Sequence, residues 1–192
     1  MAAPAKPSAT YADIERLPPD ITGQLIDGVL YTHSRPATPH AQAASVLGMD
    51  LGGAFHRGRG GPGGWILLDE PELHFGLDVV VPDLGGWRRE RMPALPRAPF
   101  LTLAPDWVCE VLSPSTASID RGPKLKVYGR ERIPWVWLVD PIGRTLEVLA
   151  LDGPTYRITD VYTGRGAVRA QPFDAIELDL DAVFPAEEID PI

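Results

Sequence analysis

The 192-residue chain has a single cysteine, Cys109, so no intrachain disulfide can form. Such scarcity suits a reducing compartment, and the cytoplasm is the expected location. No apolar run is long enough to cross a bilayer, so no membrane partner is expected. Met1 to Thr10 carries one lysine and no apolar stretch, which argues against a secretory signal. Positive charge is short as well: 18 Lys and Arg against 26 Asp and Glu leave a formal net charge of −8. Tight non-specific binding to nucleic acid rests on Lys and Arg against phosphates, and the overall balance disfavours it. Catalysis on a polyanion is not excluded, because carboxylates that hold a metal add charge that the metal offsets. His33, His40, His56 and His74 form no His-x-x-x-His pair and have no cysteine partner, so zinc is not expected. The Gly-x-Ser-x-Gly elbow of serine hydrolases is missing too.

What is present reads as an α+β chain. Residues 1–9, rich in Ala and Pro, read as a disordered lead-in, and residues 10–192 as one domain. Thr10 with Asp13 forms an Asp variant of a capping box for a short helix ending near Leu17, before Pro18-Pro19. Asp27-Gly28, between Gln24-Leu25-Ile26 and Val29-Leu30-Tyr31, predicts a hairpin with a type I′ turn. Residues 40–56 predict a helix with Val46, Leu47, Leu51 and Phe55 facing the core. The glycine-rich stretch 57–64 lacks a Gly-Lys-Ser/Thr ending and reads as a surface loop. Residues 65–68, 72–75 and 78–81 suggest three strands in an antiparallel meander. Residues 92–105, with four prolines, suggest an extended connection. A buried strand at 106–112, a helix from about 118 to 132, a strand at 135–139 and a hairpin around Asp152-Gly153 follow. The tail from Val168 reads as extended and acidic.

Chemistry concentrates in two of these segments. Val79-Val80-Val81-Pro82-Asp83 places a carboxylate after a β-branched run, and Asp106 to Leu112 places Glu110 inside another. Strand alternation puts Glu110 on one face with Val108 and Leu112, and Cys109 on the other. An ionised glutamate among Val and Leu is costly unless it is paired or bound to metal. Two convergent carboxylates suit a hard cation such as Mg²⁺; a salt bridge to a buried cation is the structural alternative for Glu110. Pro82-Asp83-Leu84-Gly85-Gly86 is also a plain turn signature. Asp120, Lys124 and Tyr128 follow at helical spacing, and the residue pattern leaves open whether Lys124 or Lys126 faces inward. Cys109 reads as a core residue. Arg57 and Arg59, and Arg88, Arg89 and Arg91, are candidate basic patches or ordinary solvated surface.

The ordered set Pro82-Asp83, Glu110-Val111-Leu112, Ser113-Pro114-Ser115-Thr116, Asp120, Lys124, Tyr128 and Trp137-Leu138-Val139-Asp140-Pro141 resembles the Uma-two family. That is a bacterial family of restriction endonucleases in the PD-(D/E)XK superfamily. The resemblance runs from Gln24 to about Phe173. It implies a restriction-endonuclease-like core, a mixed β-sheet flanked by helices, in a single nuclease-like domain. It also implies that Asp83, Glu110 and the Val111 carbonyl hold Mg²⁺ or Mn²⁺, with Lys124 as the catalytic lysine. Two positions depart from the pattern. Leu112 stands where the superfamily has lysine, which points to Lys124 on the next helix, and Gln24 stands where relatives often carry glutamate. The expected function is Mg²⁺-dependent endonucleolytic hydrolysis of phosphodiester bonds, with DNA as substrate and a homodimer as assembly. The alternative is a catalytically weakened binding module for nucleic acid or protein on the same fold.

Overall fold

The computed structural model describes residues 8–34 and 37–184. At its centre lies a six-stranded sheet in the order β10-β9-β8-β7-β6-β3. These strands are β3 (Trp65–Asp69), β6 (Leu84–Arg88), β7 (Trp107–Val111), β8 (Trp135–Asp140), β9 (Thr145–Asp152) and β10 (Thr155–Thr163). All neighbours pair antiparallel except β7 and β8, which run parallel, Glu110 beside Leu138. A parallel pair needs a crossover, and residues 112–134 supply it. A second sheet, in the order β2-β1-β5-β4, comprises β1 (Thr22–Ile26), β2 (Val29–His33), β4 (Leu73–Phe75) and β5 (Asp78–Val80).

Two apolar layers enclose the central sheet. On one side α2 (Thr38–Leu51), continued by a π-helical turn (Gly52–His56), packs Leu47, Leu51 and Phe55 against Trp107, Val111, Trp137 and Val139. On the other side the four-stranded sheet and α4 (Leu125–Arg130) pack Ile26, Val80, Val127 and Tyr128 against Val108, Val136 and Leu138. This is the mixed sheet flanked by helices that the resemblance implied.

Local chemistry explains most elements. Asp27 and Gly28 take φ values of 50° and 73°, the left-handed pair a type I′ hairpin needs. α1 (Tyr11–Ile14) starts at Thr10, whose backbone N–H donates to Asp13 Oδ2 at 2.8 Å. It ends four residues in, so the expected helix to Leu17 is shorter than its sequence pattern suggested. The helical run at 117–130 is broken in character: α3 (Ala117–Ile119), a π-turn (Asp120–Lys124) and then α4. Pro123 sits inside the π-turn, where its missing N–H cannot continue a regular α ladder.

Three expectations need correction. The strands at 65–68, 72–75 and 78–81 do not form one meander. β3 pairs with β6 in the central sheet, while β4 and β5 pair with each other in the second. β6 itself was hidden, because Leu84-Gly85-Gly86 reads as a turn. The glycines serve packing: a Cβ on Gly85 would meet Pro71 at 2.8 Å, and one on Gly86 would meet Leu67 at 2.9 Å. The tail is not simply extended surface either. After β11 (Ala167–Val168) and β12 (Leu178–Asp179), α5 (Leu180–Val183) folds back, and Phe173, Leu180 and Phe184 are buried in the α2-side core. Of the expected disordered lead-in, residues 1–7 lie outside the described residues; Ala9 donates its N–H to the Gly28 carbonyl at 2.9 Å.

Candidate active site

The site forms where β6 begins and β7 ends. Leu84 pairs with Cys109 across these antiparallel strands, so Asp83, one residue earlier, comes to lie beside Glu110 and Val111. The Val111 N–H donates to Asp83 Oδ2 at 2.7 Å. His40, on the first turn of α2, places Nε2 3.1 Å from Asp83 Oδ1. Both Asp83 oxygens thus have a partner, and the carboxylate is fixed in orientation.

Glu110 is 1% exposed, on the face of β7 opposite Cys109. Its Oε2 accepts from Lys124 Nζ at 2.7 Å, and its Oε1 accepts from the Tyr128 hydroxyl. Lys124, 2% exposed, also donates to the Val81 carbonyl at 3.1 Å and lies 3.2 Å from Asp120 Oδ1. Lys126 is exposed. The π-turn therefore sets Asp120 and Lys124 on the buried side, one α-turn before Tyr128. Gln24 Oε1 accepts from the Val81 N–H at 2.9 Å, so both backbone polar groups of Val81 are held by side chains of this site.

Charge in the site is unbalanced. Asp83, Glu110 and Asp120 face one certain cation, Lys124. Burial pushes the Glu110 carboxyl up to about 8 against the pull of Lys124, and Asp120 and Asp83 add to the rise. Burial acts on Lys124 in the opposite sense, but Glu110, Asp120 and Asp83 outweigh it and hold its pKa above the ordinary lysine value. Lys124 thus keeps its proton, and the surplus of negative charge is relieved at Glu110, whose carboxyl is held toward its protonated, neutral form. At His40, burial works to lower the pKa, but the hydrogen bond and charge of Asp83 leave it raised. His40 Nδ1 is buried without a hydrogen-bond partner among the described residues.

These groups open on a cleft of about 280 Å³ bordered by Gln24, His40, Asp83, Glu110, Asp120 and Lys124. Glu70 and the Ser113–Thr116 loop also line it. The donors are carboxylate, carbonyl and amide oxygens, which suit a hard divalent cation and not zinc. No group of three or more His, Cys, Asp or Glu among the described residues is clustered to hold a metal ion. The candidate donors are thus two carboxylates with backbone and amide oxygens. Each carboxylate oxygen already bonded here retains a further lone pair. By chemistry and charge deficit the residues fit such an ion, with Lys124 standing as its nearest competitor for Glu110.

Asp78, the carboxylate that opens β5, lies elsewhere: it accepts from the Asp27 N–H at 2.7 Å and pairs with Arg130 at 2.6 Å. Cys109 is buried in the α2-side core, and burial raises its thiol pKa well above the ordinary value. Sequence reasoning missed two features. The Val81 carbonyl, which receives Lys124, carries no side-chain signal. Glu70, at φ 42°, reaches the cleft because its N–H donates to the Asp83 carbonyl at 3.0 Å, a tertiary contact.

A mixed sheet with one carboxylate just before β6, another within the neighbouring β7, and a lysine brought to them by the helical turn that follows is a restriction-endonuclease-like core. The chain belongs to the Uma2 family, described as "Putative restriction endonuclease", which matches residues 9–181. A crystal structure of a "putative nuclease belonging to DUF820" from Anabaena variabilis is similar in fold. Its TM-score is 0.73 at 21% sequence identity, and the likeness covers 91% of this chain and 97% of that one. No curated protein matches the chain. Among the described residues no helix is long and apolar enough to cross a membrane.

Proposed function

We propose that this protein is a Mg²⁺-dependent, or Mn²⁺-dependent, endonuclease of the PD-(D/E)XK type that hydrolyses phosphodiester bonds in DNA. The observation that carries the reading is the meeting of Asp83, Glu110 and Lys124 in one cleft, from three separate segments of the chain. Asp83, Glu110 and the Val111 carbonyl would hold the metal. Such an ion lowers the pKa of water and neutralises charge on the phosphate. The Val111 N–H and His40 orient Asp83. Lys124, anchored by the Val81 carbonyl, offers its ammonium to the phosphoryl oxygens as charge builds on them. Water attacks phosphorus in line, the bond to the leaving oxygen breaks, and that oxygen takes up a proton. One nuclease-like domain over residues 10–192, acting in the cytoplasm and as a homodimer, completes the proposal.

A second reading has an observation in its favour. Gln24 brings no charge, and Glu110 is already satisfied by Lys124 and Tyr128, an arrangement suited to a binding module that has lost its metal. Calorimetric titration with Mn²⁺, beside cleavage assays on DNA and RNA with Mg²⁺, separates the two. The proposal expects saturable metal binding and metal-dependent cutting of DNA, both lost in Asp83→Asn. Absence of metal binding at millimolar Mn²⁺ would remove the catalytic reading.

A further inference from the structure

The cleft does not end at Asp83. A small cavity of about 160 Å³ shares His40, Glu70 and Asp83 with it. That cavity in turn shares Ala44, Ser45 and Asp69 with a wider groove of about 710 Å³. The groove follows α2 and its π-helical continuation and ends at Arg57 and Arg59. Its floor is low: a Cβ built on Gly52 or Gly53 would meet nothing within 4 Å. At the far end, Arg57 and Arg59 are exposed, and neither has an ion-pair partner among the described residues. Arg89 is anchored beside them by donating to the His56 carbonyl at 3.1 Å, and Arg88 lies over Trp65, 4.6 Å from the ring centroid. Among the described residues that line the wide groove, Asp69 is the single carboxylate.

This end of the groove runs against the net charge of the chain. In a chain of net charge −8, guanidinium groups gather at the outer end of one groove that leads to the candidate active site. Arginine pairs with phosphate through a planar fork of donors, and unpaired guanidinium groups cost nothing in broken salt bridges when a phosphate arrives. We propose that the α2 groove, closed at its end by Arg57 and Arg59 with Arg89 held beside them, carries the DNA backbone flanking the bond held in the cleft. The proposal rests on the nuclease reading and adds the route the polymer takes. Its length follows from helix geometry: the path from His40 to Arg57 along the helix is roughly 25 Å. Along one strand of duplex that distance takes in about seven phosphates.

The test is binding of fluorescent DNA in EDTA, followed by anisotropy across a salt series. A duplex long enough to fill cleft and groove is compared with a short one that reaches only the cleft. In the double variant Arg57→Ala/Arg59→Ala the long duplex should lose about tenfold in affinity, and its salt slope should fall by about two. The short duplex should change far less. Both arginines are on the surface, and an unchanged melting temperature verifies the fold; Arg59→Glu should weaken binding further. Unaltered affinity and slope in the double variant, with wild type still binding and cutting DNA, would overturn the groove and leave the nuclease reading standing. If wild type neither binds nor cuts DNA, the nuclease reading itself fails. An RNA duplex held as tightly as DNA, and as sensitive to the arginine changes, would overturn the assignment to DNA.

Discussion

The two faces of the central sheet are built to different rules. The α2 side is almost wholly apolar: Phe173 has Trp65, Trp107 and Phe55 at ring-centroid distances of 4.8, 4.8 and 4.6 Å. The opposite side buries aliphatic side chains as well, but in the middle of them sit Glu110, Asp120, Lys124 and the hydroxyl of Tyr128. The first face maximises buried area. The second gives up part of that gain to keep ions out of water, and buried ion pairs are weak devices for stability. The difference teaches where to look: stability was available from apolar packing on both faces, and only one declined it, at the point where the sheet opens on a cleft.

The largest effect on stability should come from the apolar face. Trp137 is fully buried, and its Nε1 donates to the Gln171 carbonyl at 2.7 Å, tying the tail to the sheet. Trp137→Ala should cost about 3–5 kcal/mol. A denaturant melt reads the loss, and metal affinity of the surviving folded fraction should stay near wild type. Comparable damage to both would mean that the two faces are not independent.

Lys124→Ala breaks the polar face and should cost less in stability, about 2–3 kcal/mol. Removing one partner of a buried pair typically costs 3–5 kcal/mol, but Glu110 can relieve it by taking up a proton. The same change should reduce cleavage by about a hundred- to a thousand-fold, the usual loss when one electrostatic donor is removed from a transition state. A variant at wild-type melting temperature would show that the ammonium compensates nothing.

The third comparison is with pH. The Glu110 pKa is raised in the fold above its ordinary value of 4.5, to about 8. The folded state therefore holds this proton more tightly than the unfolded chain. The resulting stability is fully present below about 4.5 and is lost as pH climbs through about 8. Metal-free wild type should accordingly soften across that window, whereas Glu110→Gln should flatten the trend and bind Mg²⁺ more weakly. Thermal melts in EDTA at several pH values decide it, and a wild type that gains stability over the window contradicts the surplus of negative charge.

The smallest effect belongs to Lys126→Ala. Its side chain is exposed, so stability should move by no more than about 0.5 kcal/mol and cleavage should hardly change. A loss matching that of Lys124→Ala would place the wrong lysine in the cleft.

Local signals carried much of this protein. Asp27-Gly28 marked its hairpin because left-handed backbone has few tenants other than Gly, Asn and Asp. The run from 106 to 112 was legible as a buried strand, and its alternation alone placed Glu110 and Cys109 on opposite faces. The spacing of Asp120, Lys124 and Tyr128 was visible as well. Other elements left no local mark. β6 hides behind Gly85-Gly86, because the sequence does not show that neighbours at 2.8–2.9 Å leave no room for a Cβ. The tail reads as acidic and extended, since Phe173 and Phe184 are too sparse to form a periodic pattern.

Sequence by itself thus determined the kinds of element, the faces of the strands and an inventory of acids and one helical lysine pair. Tertiary structure decided how they meet. Pairing of β6 with β7 brought Asp83 to Val111, the π-turn through Pro123 aimed Lys124 inward and left Lys126 outside, and α2 carried His40 onto Asp83. The physical reason is range. Propensity and periodicity act over a few residues, whereas a site is set by contacts such as Val81 with Lys124 and His40 with Asp83, each separated by 43 residues in the chain.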